Sequence, residues 1–332
     1  MTSTHQSDLQ DRDRVGALVT VTSRTFGFVV TPNFSMMCLS AVFEPLRQAN
    51  RLSGQPLYRW EFISADGDAV PSSAGVSVVV DGSLDGTMVY DSVVVCTGVG
   101  GETVRDSRLM AWLRRQARGG ARIGAVSTGS FVLARAGLLH GHRSTVHWES
   151  LDTFTELFPD LDVTGALYEL DGDRFTCSGG IASLDLMHAI IEADHGSELA
   201  GAVSEQFLHN HVRTGDDPQR MALRERLGVS HARLLKVIED MELNLEDPLP
   251  RQTLAYSAGV SVRQLERLFR THLGRTLGQY YLELRLRRAR AMLKQTSQSV
   301  LDVAVACGFV SASHFSRAYR QRFGQAPRAD RA

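Results

Sequence analysis

With 332 residues, 43% of them hydrophobic and 22% charged, the chain can hold two domains with a core each. Its net charge of -1 conceals a split: from Leu249 onward 15 Lys/Arg stand against 4 Asp/Glu, a net of +11, leaving residues 1–248 with 21 against 33, a net of -12. No apolar run is long enough to span a bilayer, the start MTSTHQSDLQDRDR is polar rather than signal-like, and Cys38, Cys96, Cys177 and Cys307 lie far apart without C-x-x-C spacing, which argues against a membrane partner, an export signal, a disulfide framework and a zinc site.

In chain order, residues 1–24 read as a mobile tail, within which Val15 to Val21 has some strand character. Phe26 to Thr31 is a buried strand, and the loop Pro32-Asn33-Phe34-Ser35 leads into a helix over 36–52 with Leu39, Val42, Phe43 and Leu46 on one side and Glu44 inside it. Strands follow at 58–64, 76–80 and 92–96, the last ending in Thr97-Gly98, then a helix over 104–118 and a strand over 121–126. A helix over 130–139, a helix over 149–158, a hairpin of 163–170 with 174–177 about Asp171-Gly172, and helices over 181–195 and 203–212 complete the first part. Alternating strands and helices joined by short glycine-bearing loops predict an α/β domain with a parallel, helix-covered sheet. Arg213-Thr214-Gly215-Asp216-Asp217-Pro218 is the clearest linker signal, and a helix over 233–243 opens the basic part. The expected division is a tail (1–24), an α/β domain (25–212), a linker (213–228) and an all-α domain (229–328).

Within the α/β part, the strand 121–126 runs straight into Ser127-Thr128-Gly129 and a helix, resembling the G-x-S-x-G elbow that lifts a side chain above the C-terminal edge of a sheet. His147 follows in T-V-H-W, and Glu44 is the upstream acid, so Ser127, His147 and Glu44 are of the types that make a catalytic triad. Each also has a plainer reading: Ser127 as a helix cap, His147 as a bonded core residue, Glu44 as an ordinary helix carboxylate.

The basic part contains an internal repeat. Ala255 and Gly259 in LAYSAGVSVRQLERLFRTHLG match Ala304 and Gly308 in SVLDVAVACGFVSASHFSRAYRQRFG at a spacing of 49; Leu265, Arg267, Phe269, Leu273 and Gly274 match Phe315, Arg317, Tyr319, Phe323 and Gly324 at 50. The odd residue falls in the turn. Each unit puts an apolar stripe on one helical face and a polar stripe on the other: Arg263, Glu266, Arg267 and Arg270 in the first, Ser313, Ser316, Arg317 and Arg320 in the second. Two helix-turn-helix units on a basic domain predict binding of double-stranded DNA, with Arg267 and Arg317 reading base edges, Arg263, Ser313 and Ser316 beside them, and Arg270 and Arg320 placed for phosphates.

These repeats and the joining helix, Gly274 to Leu293, resemble the DNA-binding domain of the AraC/XylS family of transcription regulators. The strings A-V-F-E-P-L-R-Q-A-N (Ala41 to Asn50), G-A-V-S-T-G-S-F-V-L-A-R-A-G-L-L (Gly124 to Leu139) and T-V-H-W resemble the DJ-1/PfpI, or glutamine-amidotransferase-like, flavodoxin-like fold. Together they resemble the amidotransferase-like subfamily of AraC regulators, which includes responders to carnitine, glycine betaine and arginine. The resemblance implies a cytoplasmic, homodimeric activator without cofactor that binds promoter DNA and works with RNA polymerase. Enzymes of the DJ-1/PfpI fold carry a cysteine where this chain has Ser127, and a serine hydroxyl is a poor nucleophile without a built base. The expectation is therefore a retired active site used as a sensor and no enzyme activity, with Glu44, Gly98, Ser127, Thr128, His147 and Trp148 holding a small effector. Glu44 would take a cationic group. Ser127, His147 and the amides of Gly98 and Thr128 would take a carboxylate, and Trp148, with Phe34 nearby, would supply aromatic surface. The alternative is a serine-dependent hydrolase or amidase fused to a DNA-binding module.

Overall fold

A computed structural model describes residues 22–296 and 298–330 of the chain. Nearly all of the expected tail, including Val15 to Val21, lies outside the described residues. The main sheet has seven strands: β1 (Arg24–Val30), β2 (Tyr58–Ser64), β3 (Gly82–Ser83), β4 (Ser92–Cys96), β5 (Arg122–Val126), β6 (Tyr168–Asp171) and β7 (Arg174–Cys177). Their order is β6-β7-β5-β4-β1-β2-β3, and every pairing is parallel except the β6–β7 hairpin. Parallel strands are covered on both faces, which is why β4 (SVVVC) and most of β1 read as unbroken apolar runs and are buried throughout.

Helices α1 (Met36–Ser53), α5 (Ala182–His195) and α6 (Ser197–Gln206) pack on one face around Phe26, Phe28, Leu39, Leu46 and Ile191. Helices α2 (Ser107–Arg118), α3 (Ser130–Arg135) and α4 (Leu151–Leu157) cover the other around Val93, Val95, Trp112, Phe131 and Phe154. Pro45 sits inside α1 without ending it.

Four expectations change. The first hairpin strand, expected over 163–170, is confined to Tyr168–Asp171, and Asp162–Val163 pairs instead with Arg143–Ser144 in a separate two-stranded sheet. Of the predicted strand 76–80, only Ser77–Val78 pairs, antiparallel with Val70–Pro71 and outside the main sheet; Val78 and Val80 pack on the α1 side of the core, while Val79 between them is 81% exposed. The helix expected over 130–139 stops at Arg135, with Gly137 in the left-handed region at φ 72°. The helix expected over 203–212 is the end of α6, which closes at Gln206. Beyond it the chain is drawn onto Asp185, a fully buried carboxylate near the start of α5. Asp185 Oδ1 meets His209 Nε2 at 2.7 Å and accepts the Arg213 N–H at 2.9 Å, while Oδ2 accepts from Arg213 Nε at 3.0 Å and Nη2 at 2.6 Å. Leu208, at φ 54°, has already left the helical conformation.

The all-α part comprises α7 (Leu223–Leu227), α8 (Ala232–Leu243), α9 (Arg251–Ser257), α10 (Val262–Leu273), α11 (Leu277–Gln295), α12 (Val300–Ala306) and α13 (Ala312–Phe323). Leu223 and Val229 pack with Leu234, Ile238, Leu254, Leu265 and Phe269 in one core. The helical body therefore takes in residues that the sequence reading assigned to the linker. A second core gathers Leu286, Leu293, Val303, Phe315 and Tyr319.

Candidate effector site and DNA-binding face

At the C-terminal edge of the sheet β5 ends and Ser127 adopts φ 61°, a left-handed conformation that a side-chain-bearing residue rarely takes. The turn is over-determined by its surroundings. The Thr128 hydroxyl donates to Gly98 O at 2.6 Å and receives the Thr97 hydroxyl at 2.8 Å. Gly98 bridges Phe34, and a Cβ there would collide with the Asn33 carbonyl and stand 2.8 Å from Ser35 N. Glycine is required by this close approach. Gly179, after β7, faces the elbow from the other side: a Cβ on it would stand 2.9 Å from Ser127 Cβ and 3.1 Å from Cys38 Sγ. Ser127 thus lies where β4, β5, β7 and the start of α1 converge.

His147 joins this group through its backbone, its N–H donating to Ser127 O at 3.4 Å. Its Nδ1 accepts the Glu149 N–H at 3.3 Å, which leaves the ring proton on Nε2. Burial pushes the imidazole pKa below its usual value, partly offset by Glu149, so the ring is neutral at pH 7 and offers one donor. Among the described residues no hydrogen bond links the Ser127 hydroxyl to this ring. Trp148, 40% exposed, follows with its ring 5.6 Å from that of His147. Phe34 is fully buried and is packing.

Glu44 stands apart from the set. Its carboxylate accepts Arg47 Nε at 2.9 Å and Nη2 at 2.7 Å, and no bond joins it to Ser127 or His147. Cys38, about two turns earlier on α1, is the residue that reaches the elbow region, its Sγ accepting the Gly180 N–H at 2.9 Å. Helical spacing explains the difference: six residues separate the two positions, so they differ in both height and direction along α1. The sequence reading missed Cys38 and the Gly179-Gly180 pair. The available signal was that Gly179-Gly180, like Gly98 and Ser127, comes within three residues of the end of a strand of the main sheet.

In the all-α part the repeat is realised residue by residue. α9 and α12 have seven residues each, α10 and α13 twelve each. Gly259 and Gly308 turn at φ 63° and 71°, and Gly274 and Gly324 close the second helices at φ 66° and 77°. Leu265 and Phe269 are buried as Phe315 and Tyr319 are. On the open face Arg263, Arg267 and Arg270 are exposed on α10; Ser313, Arg317 and Arg320 are exposed on α13 and, with Ser316 and Gln321, line an open cleft. Glu266 departs from the expected stripe. Its Oε2 accepts the Leu277 N–H at 3.3 Å, and Oε1 lies 3.4 Å from Arg251 Nη1. It supports the start of α11, where a carboxylate near helical N–H groups is favourable.

Two family models match in the same places: the DJ-1/PfpI family over residues 38–193 and a helix-turn-helix domain over 254–332. The HTH-type transcriptional regulator CdhR of Pseudomonas aeruginosa is 47% identical over 310 residues, spanning 93% of this chain and 92% of the relative. GbdR, another HTH-type transcriptional regulator of that organism, is 45% identical over 308 residues, spanning 93% and 84%. The chain belongs to the AraC-type transcription regulators with an N-terminal DJ-1/PfpI domain. A crystal structure of an AraC family transcriptional regulator from Pseudomonas putida superposes on the first part of this regulator with a TM-score of 0.50 at 27% identity, covering 55% of this chain and 99% of that one. The regulator acts through DNA. Among the described residues no helix is long and apolar enough to cross a membrane, and no cluster of His, Cys, Asp or Glu could hold a metal ion.

Proposed function

We propose that the first domain is a sensor: the elbow site binds a small zwitterionic amine, and binding changes how a cytoplasmic dimer engages promoter DNA and RNA polymerase, as an activator. The observation that carries this reading is Ser127, held at φ 61° with a hydroxyl where enzymes of the fold use a thiol, beside a neutral His147. A hydroxyl, the His147 Nε2–H and nearby backbone amides suit a carboxylate, and Trp148 supplies an aromatic wall for the other end of the ligand. Glu44 is left out of this set because Arg47 already matches its charge. On DNA, Arg267 and Arg317 read base edges, with Arg263, Ser313 and Ser316 beside them and Arg270 and Arg320 on phosphates.

Titration calorimetry with a panel of zwitterionic amines tests the sensor reading. A true effector should raise the melting temperature of the wild type, and His147→Ala should weaken it about ten- to hundredfold, the range for a hydrogen bond to a charged group. Equal binding to His147→Ala would move the carboxylate elsewhere.

The strained elbow also fits the second reading, a serine hydrolase or amidase. That reading requires consumption of a candidate metabolite, lost in Ser127→Ala. The sensor reading requires binding without consumption.

A further inference from the structure

The segment between the two parts of the molecule is tied down. Leu167 N–H donates to Gly215 O at 2.7 Å, and Ala166 bridges Pro218, so the chain runs along the residues leading into β6. Gln219 then turns its amide onto the residues before β6 and before His147: Nε2 donates to Ala166 O at 2.8 Å, Val146 O at 3.0 Å and Thr145 Oγ1 at 3.1 Å. Arg220 follows. Its guanidinium carbon lies 4.6 Å from the centre of the Trp148 ring, and its Nη1 is 3.7 Å from Glu242 Oε2 on α8. One arginine therefore touches an aromatic face of the sensor and a carboxylate of the helical body.

Just beyond Trp148, α4 meets α11, the helix that joins the two helix-turn-helix units. Asp152 Oδ2 faces Arg288 Nε at 3.6 Å, the Thr153 hydroxyl donates to Gln295 Oε1 at 3.3 Å, and Gln298 donates to Glu156. The stretch from His147 to Leu157 thus carries the elbow's neighbour at one end and the contact with the DNA-binding body at the other.

Arg220 is held differently from most arginines that cover a ring. Arg285 over Phe309, Arg290 over Phe323 and Arg322 over Phe323 also hydrogen-bond carbonyl or carboxylate oxygens. Arg220 makes no side-chain hydrogen bond among the described residues; it has the indole face and one long ion pair. A π-face attracts any cation, and indole does so best, so a small cation can take this place without leaving a buried donor unpaired. A quaternary ammonium suits it better than a primary amine, because it has no N–H to satisfy.

We propose that the Trp148 indole face is the cation subsite of the effector, covered here by Arg220 as an internal cation, and that an effector enters by displacing Arg220 and loosening its tie to Glu242. The inference rests on the sensor reading and adds where the cation sits and how its arrival reaches the helical body. The His147 and Trp148 ring centres are 5.6 Å apart, so the indole stands beside the imidazole proposed to take the carboxylate.

The test is calorimetry on the full chain with trimethylglycine and with 3,3-dimethylbutanoate, which has the same shape without the positive charge. Arg220→Ala should bind trimethylglycine about three- to thirtyfold more tightly than wild type, the range of a cation–π contact released from competition, and Trp148→Leu should bind it more weakly by a similar factor. Affinity for 3,3-dimethylbutanoate should not rise in Arg220→Ala. Hydrogen exchange over residues 214–222 should quicken when trimethylglycine binds wild type and should already be quick in Arg220→Ala. Binding indifferent to Arg220 would overturn the subsite and leave the sensor reading standing. No binding to either protein would overturn the effector class and the subsite with it.

Discussion

The two helix-turn-helix units share one scaffold and differ in how they are anchored. The turn of the first is open: a Cβ on Gly259 would meet nothing within 4 Å. The turn of the second is packed against the other unit's approach, because a Cβ on Gly308 would stand 2.7 Å from Glu246 O, Leu245 O and Pro248 Cδ. Arg285 of α11 closes the same turn, donating to Cys307 O at 2.7 Å and Gly308 O at 2.6 Å. The first unit instead spends a front-face carboxylate, Glu266, on the start of α11. A repeated fold thus leaves its buried positions alike, while neighbours decide which polar residues remain free to meet DNA.

The sharpest test compares the turns. Gly259→Ala should cost about 1–2 kcal/mol, the penalty of a left-handed conformation for a residue with a Cβ. Gly308→Ala adds a backbone clash and should cost about 3 kcal/mol or more, read as the difference in urea midpoints. Equal costs would remove the claimed packing of the second turn.

Next come the front faces. Arg317→Ala and Arg267→Ala should each weaken operator binding by about 1–3 kcal/mol and relax one position in different half-sites, seen by footprinting on permuted sites. Glu266→Ala should leave the sequence preference unchanged and lower stability by about 0.5–1 kcal/mol, the size of a charge–helix contact near its terminus. A changed preference in Glu266→Ala would return that residue to the DNA face.

A smaller effect concerns phosphates. Arg270→Ala and Arg320→Ala should weaken all sites alike, and each should reduce the slope of log affinity against log salt by about 1.

The smallest separates the units by pH. Bonding from Arg322 holds the Glu283 carboxyl below its usual value, opposed by burial and aided by Arg287. Burial pushes Asp330 up, but bonds from Tyr319 and Arg290 more than offset it, so its pKa is also lowered. Carboxyls depressed in the folded state stabilise it above their unfolded values and lose that contribution as pH falls through the folded ones. Below pH 4.5, the ordinary glutamate value, exchange of α13 amides should therefore quicken before that of α10.

Much of this was legible in the chain. Burial on a helix follows a 3.6-residue period and left-handed turns favour glycine, so the spacing of Leu265, Phe269 and Gly274 against Phe315, Tyr319 and Gly324 fixed two units without any contact being known. The strand-to-turn string at Ser127 and the apolar runs of β1 and β4 likewise told of a parallel sheet with a tight turn at its edge, because both are local consequences of backbone geometry. What the chain could not tell was which polar side chains face one another across long separations. Glu266 with Leu277, Asp185 with His209 and Arg213, and Arg220 over Trp148 are choices among several oppositely disposed partners. A carboxylate or guanidinium carries no periodic signature of a partner far along the chain, so only the packing of α5, α10 and the segment after α6 settled where each of these charges went.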